Sequence, residues 1–587
     1  MTNTELLLFS CMAFPIFIGI LLLVFSKHMK QYVFGFTMIV VSILFIVIVV
    51  CWSSGWSYQG WGLKIDGTTR VMLFWTTFFA WIINLYSRGY FACSQLATFF
   101  HAYSLISLGL TIFTLCADNM ILMSIGWGLL GVLLYLMIGL KKEPDARDTA
   151  KKTFIMVGGS DIVMILGLAI LHVLTNSFLF SDMHVSLDIP LATLSLVFMF
   201  VGAFAKAGVF PLHSWLPDAC QHSYVPVTAF LPLSLDKILG IYLMIRMIGS
   251  IYTLNTVAVI VIMSLGCICI FVGVLMALVQ HDLKKLLGYH TVSQVGYMVL
   301  GIGTGTTVGL IGAVYHMINN IVYKTLLFIS GGVVEKNCKT TNLEQLGGLA
   351  KVLPITFTAM AIASLSISGV FPFNGYFSKH VIMHGIELTH EMYGISWWSL
   401  FWILALVGSL LTLSSFVKVM YGLFIEKPCQ CWSHVRENNG WMLFPMIILA
   451  ILCLVLGFTA SGWTNTSFLV PIFQQNLHIH FRVIEGIAYL VGFSLLIYAL
   501  IHFIHRYACC HNVKGIQCYE SIRQCFGLKK AYAWSEEKYL DVYDLGRRAI
   551  QYTSSILRNA HSGLLPTYVF WFVLGTFLFA LYYFQIL

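Results

Sequence analysis

Apolar runs of about 20 residues, the length an α-helix needs to cross the hydrocarbon core of a bilayer, recur along the whole of this 587-residue chain. They fall near 5–26, 32–51, 70–86, 100–117, 119–140, 153–175, 190–212, 226–247, 255–279, 286–304, 306–332, 354–386, 398–424, 441–463, 482–504 and 567–586. The pattern predicts an all-α polytopic membrane protein with about sixteen transmembrane helices. Composition agrees: 59% of residues are hydrophobic and 10% charged, against about 45–50% and 25% in soluble chains. A water-facing surface cannot be built from that inventory. No small-residue cleavage site follows the first run, which therefore reads as a retained helix rather than a signal peptide.

Positive charges favour the cytoplasmic side of a membrane, and here they alternate with the predicted spans. One set of loops holds Lys27 and Lys30; Lys141, Lys142, Arg147, Lys151 and Lys152; Lys284 and Lys285; Lys336, Lys339 and Lys351. The segment before the last span adds a further cluster from Arg506 to Arg558. The intervening loops offer little beyond Lys64, Arg70, Arg246 and Arg482. Both termini are thus expected outside, in a prokaryotic cytoplasmic membrane. Topology accounts for the net charge of +9, so the charge carries no argument for nucleic-acid binding.

Of fifteen cysteines most lie singly in apolar runs, where the thiol acts as a small hydrophobe. Cys509, Cys510, His511, Cys518 and Cys525 share one loop and Cys429 and Cys431 another. Neither group has the paired spacing of a zinc ribbon or an iron–sulfur site, and no dinucleotide fingerprint or nucleophile constellation stands out. The expectation is no metal and no cofactor in this chain. His380 and His384 have i, i+4 spacing that suits a metal, but surface solvation or proton exit is the preferred reading.

Two apolar spans are interrupted, at KAGVFPLHSW around Pro211 and at SGVFPFNGYFSKH around Pro372. Proline kinks helices without any functional purpose, yet each interruption has a lysine close by, Lys206 and Lys379. Freed carbonyls at a break can bind water and make a buried charge tolerable. A charge at bilayer depth costs at least about 2.5–3.5 kcal/mol and marks a functional site by default. Asp161, Asp236, Lys237, His316 and Lys324 also fall within or just inside apolar runs. His316 and Lys324, eight residues apart, share a helix face with Asn320 between them. The set forms a row suited to proton relay: Asp161, Lys206, Asp236, Lys237, His316, Asn320, Lys324 and Lys379. Static ion pairing that fixes helix register is the alternative use.

The segments ADNMILMSIGW (117–127), KKTFIMVGGSD (151–161), AKAGVFPLHSWLPDA (205–219), QHDLKKLLGYHTVSQVGYM (280–298), YHMINNIVYKTLLF (315–328), FNGYFSKH (373–380) and HSGLLPTYVFW (561–571) together resemble one family. It comprises the antiporter-like proton-translocating subunits of respiratory complex I, membrane-bound hydrogenases and multisubunit sodium/proton antiporters. The segments LDKILGIYL and YLDVYDLG resemble most the largest complex I antiporter-like subunit and its hydrogenase relatives. The resemblance implies two inverted five-helix repeats, at 100–250 and 251–425, each with a broken helix. Around them it implies N-terminal helices (1–99), C-terminal helices (426–505), a cytoplasmic loop with an amphipathic segment (506–566) and a last helix (567–587).

By the same resemblance Lys206, Lys324 and Lys379 are the seventh-helix, central and twelfth-helix lysines of a proton path. Asp161 matches the sixth-helix aspartate and His316 the first of two histidines, the second being Asn320 here, while an eighth-helix histidine is replaced by Pro232. The family glutamate after tryptophan is replaced by Gly128, and Asp236 or Asp161 is expected to supply the missing carboxylate. The helix-compatible part of the amphipathic segment, Trp534 to Arg558, would reach about 37 Å at 1.5 Å per residue, too short to clasp several neighbours. The implied function is proton, or sodium-ion, translocation within a redox-driven complex whose iron–sulfur clusters, flavin or nickel lie on partner subunits. A secondary antiporter subunit without a redox partner, or a structural anchor with a decayed relay, are the rival readings.

Overall fold

The computed structural model describes residues 3–586 except 93, 428–431, 433, 434, 438, 474–491, 493, 504, 505, 507–528, 531, 534–540 and 562. Its first helices are α1 (Asn3–Val24), α2 (Val33–Ser53), α3 (Gly67–Phe91), α4 (Gln95–Cys116), α5 (Met120–Ile138), α6 (Pro144–Thr175) and α7 (Pro190–Ala207). A short α8 (Trp215–His222) precedes the apolar stretch Val225–Ile251, in which a π turn at Leu231–Leu235 joins α9 (Val225–Phe230) to α10 (Asp236–Arg246). Then come α11 (Thr256–Leu278), α12 (Leu283–Gly303), α13 (Thr307–Cys338), α14 (Pro354–Ser368), α15 (Asn374–Glu387), α16 (Thr389–Tyr393), α17 (Trp398–Met420) and α18 (Gly440–Phe458). Among the described residues, twelve helices are long and apolar enough to cross a membrane, and strands are confined to two small two-stranded sheets. The fold is an all-α polytopic membrane protein.

The other expected spans differ from those twelve for physical reasons. The helices α3 and α12 have 25 and 21 residues but carry more polar side chains, because both are packed inside the protein. The run 354–386 is divided into α14 and α15. Most of 482–504 lies outside the described residues, as do Cys429, Cys431, Cys509, Cys510, His511, Cys518, Cys525 and Trp534. Burial sorts the helices: α13 and Val225–Ile251 are buried throughout their most apolar windows, whereas α1 and α2 are only 33% buried there. Polar residues sit on the inner helices, where protein groups take the place of lipid.

Both breaks are built alike. The α7 helix stops where Gly208 turns left-handed (φ 78°), with Val209 N donating to Phe204 O at 2.8 Å and Gly208 N to Ala205 O at 3.3 Å. The α14 helix stops at Gly369 (φ 79°), with Val370 N donating to Leu365 O at 3.1 Å and Gly369 N to Ser366 O at 3.0 Å. This is the glycine-terminated helix end, and both copies continue as Val-Phe-Pro with a cis Phe–Pro peptide. A Cβ on Gly208 would stand 2.5 Å from Leu216 Cδ2, and one on Gly369 3.1 Å from Lys379 Cδ. Carbonyls in these last turns also take side-chain donors: Ala205 O accepts Trp215 Nε1 in addition to Gly208 N, and Ile367 O accepts Lys379 Nζ, each side-chain bond at 2.9 Å.

The compact unit Lys529–Leu587 contains the helices Val542–Ala560 and Leu565–Ile586. The first, at 19 residues, extends about 28 Å, which is shorter than the expected Trp534–Arg558 because 534–540 are not described. Its apolar positions Val542, Leu545, Tyr552 and Ile556 repeat at helical spacing, which makes it strongly amphipathic.

At the start of α3, Asp66 caps the helix by accepting from Thr69 N at 3.0 Å and receives Arg246 Nη1 and Nη2 at 2.5 and 2.8 Å. Burial pushes the Asp66 carboxyl up, but Arg246 and the Thr69 N–H outweigh it and hold it below its ordinary value. Its contribution to stability is therefore complete above the ordinary carboxylate pKa and is lost as pH falls through the lowered one. Asp66→Asn keeps a good cap and loses the ion pair, whereas Asp66→Ala loses both. Thermal melts of the purified protein should rank wild type, Asn and Ala in that order, with Ala about 1 kcal/mol below Asn.

Candidate functional site: a buried polar axis

Lys206 lies in the last turn of α7 and is 2% exposed. Its Nζ donates to Trp127 O at 2.9 Å, lies 4.6 Å from the centre of the Trp127 ring, and stands 3.6 Å from Asp236 Oδ1. The same tryptophan donates Nε1 to Asp161 Oδ1 at 2.7 Å. Trp127 thus holds Asp161 by its edge and Lys206 by its face and backbone. Neither oxygen of the buried Asp236 accepts a hydrogen bond from the described residues, so Lys206 is its close charge partner. Of the two carboxylates expected near Lys206, Asp236 makes the ion pair and Asp161 is held by the indole.

The next residue on α10, Lys237, points to a different network. Its Nζ donates to Asn320 Oδ1 at 3.1 Å, and Asn320 Nδ2 donates to Tyr323 Oη at 3.2 Å. Tyr323 Oη donates to Gln294 Oε1 at 3.2 Å and lies 3.5 Å from His316 Nε2. His316 Nδ1 is 2.9 Å from Ser378 Oγ, on the residue beside Lys379. The Tyr297 ring stands between the ends of this chain, 5.6 Å from the His316 ring and 4.6 Å beneath Lys379 Nζ. Lys379 donates to Ile367 O at 2.9 Å and to Ser409 Oγ at 3.0 Å.

No carboxylate pairs with Lys379 among the described residues. Two charge-assisted hydrogen bonds at about 1.5–3 kcal/mol each and a desolvated cation–π contact of about 2 kcal/mol offset part of the cost of a charge at bilayer depth. The C-terminal end of α14, the negative end of its dipole, adds to them. A lysine held this way keeps its place in either protonation state, since the carbonyl, the hydroxyl and the ring carry no formal charge.

Lys324, wholly buried, lies apart from the hydrogen-bonded chain and donates to Leu287 O at 2.9 Å. Lys152 and Lys284, read from the sequence as loop charges, are buried at the starts of α6 and α12. Lys152 pairs with Asp218 and Lys284 with Glu335, each at 2.9 Å. Three groups were not singled out in the sequence. His290 meets Ser415 Oγ at 2.7 Å, Lys418 donates to Leu278 O at 2.7 Å and Gln280 O at 2.9 Å, and Tyr297 and Tyr323 take part in the networks above. His384 lies 3.3 Å from Glu387 and His380 stacks on Tyr376. No set of three His, Cys, Asp or Glu suited to a metal occurs among the described residues.

The whole axis falls within residues 117–412, which match the family described as NADH:quinone oxidoreductase/Mrp antiporter, TM. The chain belongs to that family. Similar relatives include a Na+/H+ antiporter subunit A1 of Staphylococcus epidermidis, 30% identical over 71% of this chain and 56% of its own length. NADH-quinone oxidoreductase subunit L of Mycobacterium tuberculosis is 32% identical over 70% of this chain and 65% of its own. F420H2 dehydrogenase subunit L of Methanosarcina mazei is 29% identical over 68% and 64%. The chain therefore matches less than two thirds of the length of these relatives. Its fold is shared with a chain of the Mrp complex from Dietzia sp. DQ12-45-1b (TM-score 0.72, 18% identity, 83% of this chain and 99% of that one). It is shared too with a chain of the archaeal membrane-bound sulfane sulfur reductase (0.71, 19%, 82% and 99%) and one of Thermus thermophilus complex I (0.65, 21%, 77% and 98%).

Trp127→Phe removes the indole N–H and preserves the backbone carbonyl and an aromatic face. It should lower stability by about 1–3 kcal/mol, because Asp161 is left without its donor. Asp161→Asn in the same background should then cost much less than it does alone, a coupling read from a double-mutant cycle of melting curves.

Proposed function

We propose that this chain conducts protons, with sodium ions as the alternative cargo, across a bilayer as one subunit of a hetero-oligomeric complex. The observation that carries the reading is the buried polar axis between two helix breaks. In this reading Lys206 and Asp236 form the input pair, and Lys237, Asn320, Tyr323 and His316 carry charge onward. Lys379 is the exit lysine, Lys324 a central proton store and Asp161 a support for Trp127. The repeats 100–250 and 251–425 contribute one break each. Asp236 attracts the proton of Lys206; when a neighbouring charge weakens that attraction, the proton is released to the axis.

The relatives' names place such subunits both in sodium/proton antiporters and in NADH- or F420H2-linked oxidoreductases. We favour the redox-linked setting, in which iron–sulfur clusters, flavin or nickel reside on partner subunits. Iron or nickel in the native complex supports it, and a metal-free complex favours the antiporter.

Lys206→Ala and Lys379→Ala should each leave the complex assembled and reduce translocation, measured by dye quenching in sealed vesicles; wild-type pumping in both contradicts the reading. Asp236→Asn should impair pumping at least as much as Asp161→Asn. A Cβ at Gly128 meets nothing within 4 Å, so Gly128→Glu fits and should partly restore pumping to Asp236→Asn.

The reading also sets both termini outside a prokaryotic cytoplasmic membrane. A cysteine at exposed Lys142 should react with an impermeant thiol reagent from the cytoplasmic side alone, and one at exposed Asn176 from the outside alone, in a background cleared of reactive native cysteines. Labelling on the opposite faces overturns this orientation.

A further inference from the structure

At one end of the bundle α18 packs on both α3 and α13, and the three leave an open cavity of about 830 Å³. That volume lies within the range of about 300–1,000 Å³ found for small-molecule sites and exceeds what an ion or a few waters fill. Trp81, Leu85, Trp441 and Phe444 line its apolar wall, and Lys336 and Arg436 its basic rim. None of these residues belongs to the buried axis.

The two kinds of lining are separated along the helix axes. Phe444 and Trp441, 52% and 50% exposed, lie on α18, itself an apolar membrane span. Trp441 is oriented by an edge-to-face contact with Phe34 at 5.4 Å. Arg436 precedes that helix and is exposed. Lys336 closes the last turn of α13 and donates to Gly89 O and Tyr90 O. The acidic residue of the lining, Glu437, is already committed: its carboxylate accepts from Ile355 N at 2.9 Å and Thr356 N at 2.6 Å, at the N-terminus of α14. Its charge is spent on a helix end, which leaves the rim basic. A cationic rim at the end of the spans, continuous with an apolar wall running along them, has the layout of a phospholipid with its headgroup at the interface.

We propose that this cavity is a binding site for an anionic glycerophospholipid, its phosphate at Arg436 and Lys336 and its acyl chain along Trp81, Trp441 and Phe444. A helix of a neighbouring protein fits the charge less well, since it would bring no phosphate to the two cations.

The test is photolabelling of the complete protein in native membranes or mild detergent. The probes are phosphatidylglycerol and phosphatidylcholine carrying the same diazirine acyl chain, with labelled peptides mapped by mass spectrometry. Phosphatidylglycerol should label the peptide containing Trp441 and Phe444 well above phosphatidylcholine. Arg436→Gln should reduce the difference roughly fivefold, the worth of one basic residue at a lipid surface, and Arg436→Gln with Lys336→Gln should abolish it. Equal labelling by the two lipids identifies ordinary boundary lipid and overturns the proposal. No labelling, or a crosslink from p-benzoylphenylalanine at Phe444 to another polypeptide, overturns it as well. The comparison of the two lipids on the wild-type chain requires no variant to fold.

Discussion

An ammonium group inside a bilayer must find oxygen, and in this protein it finds backbone carbonyls. Lys206, Lys284, Lys324, Lys379 and Lys418 each donate to a main-chain oxygen, those of Trp127, Ser223, Leu287, Ile367 and Leu278. Helices ordinarily use their carbonyls internally, so acceptors become free chiefly where a helix ends. The two Gly-Val-Phe-Pro breaks supply such ends at the heart of the bundle. Lys379, on the second turn of α15, reaches back across its break to the end of α14, whereas Lys206, in the final turn of α7, and Lys324 take carbonyls inside neighbouring helices, those of Trp127 in α5 and Leu287 in α12. Remove the breaks, and Lys379 loses the carbonyl that holds it.

Neutral acceptors have a second consequence. A buried lysine paired with a carboxylate is biased toward its charged state, because losing either partner's charge strands the other, and it gives up its proton only when the pair is disturbed. A lysine on a carbonyl is under no such constraint. The axis combines both arrangements: Lys206 has a carboxylate in Asp236, while Lys237 and Lys379 have uncharged partners. Asp236 and Lys237 are adjacent in the chain yet face different networks, because consecutive helical residues point about 100° apart. The π turn that precedes them, at Leu231–Leu235, shifts the helical register just before this junction, as such bulges commonly do at functional sites.

The sequence revealed the charges and the breaks because both violate the rule for apolar helices: a lysine in an apolar run or a Gly-Val-Phe-Pro inside a span is visible without coordinates. What each lysine touches was not legible, since Trp127 and Lys206 are far apart in the chain and backbone acceptors have no sequence signature. Tyr297 and Tyr323 are aromatics among apolar residues, and Lys418, although inside the predicted run 398–424, has no helix break beside it to mark it. Lys152 and Lys284 were placed in loops because α6 and α12 begin several residues before their apolar stretches do. The choice between Asp161 and Asp236 needed geometry, as both lie in apolar surroundings and only their distances to Lys206 and Trp127 separate them.

In the proposed path Lys237 takes over from the Lys206–Asp236 pair, and its replacement by methionine removes a buried charge while keeping the volume, a change that interiors often tolerate. Proton flux driven by an imposed potential across sealed vesicles containing the native complex, compared between wild type and Lys237→Met at equal protein content, tests the axis most directly. The account predicts that flux in the variant falls to the level of protein-free vesicles. Flux equal to wild type in an assembled complex would show that charge does not pass through the Asp236–Lys237 junction and would contradict it.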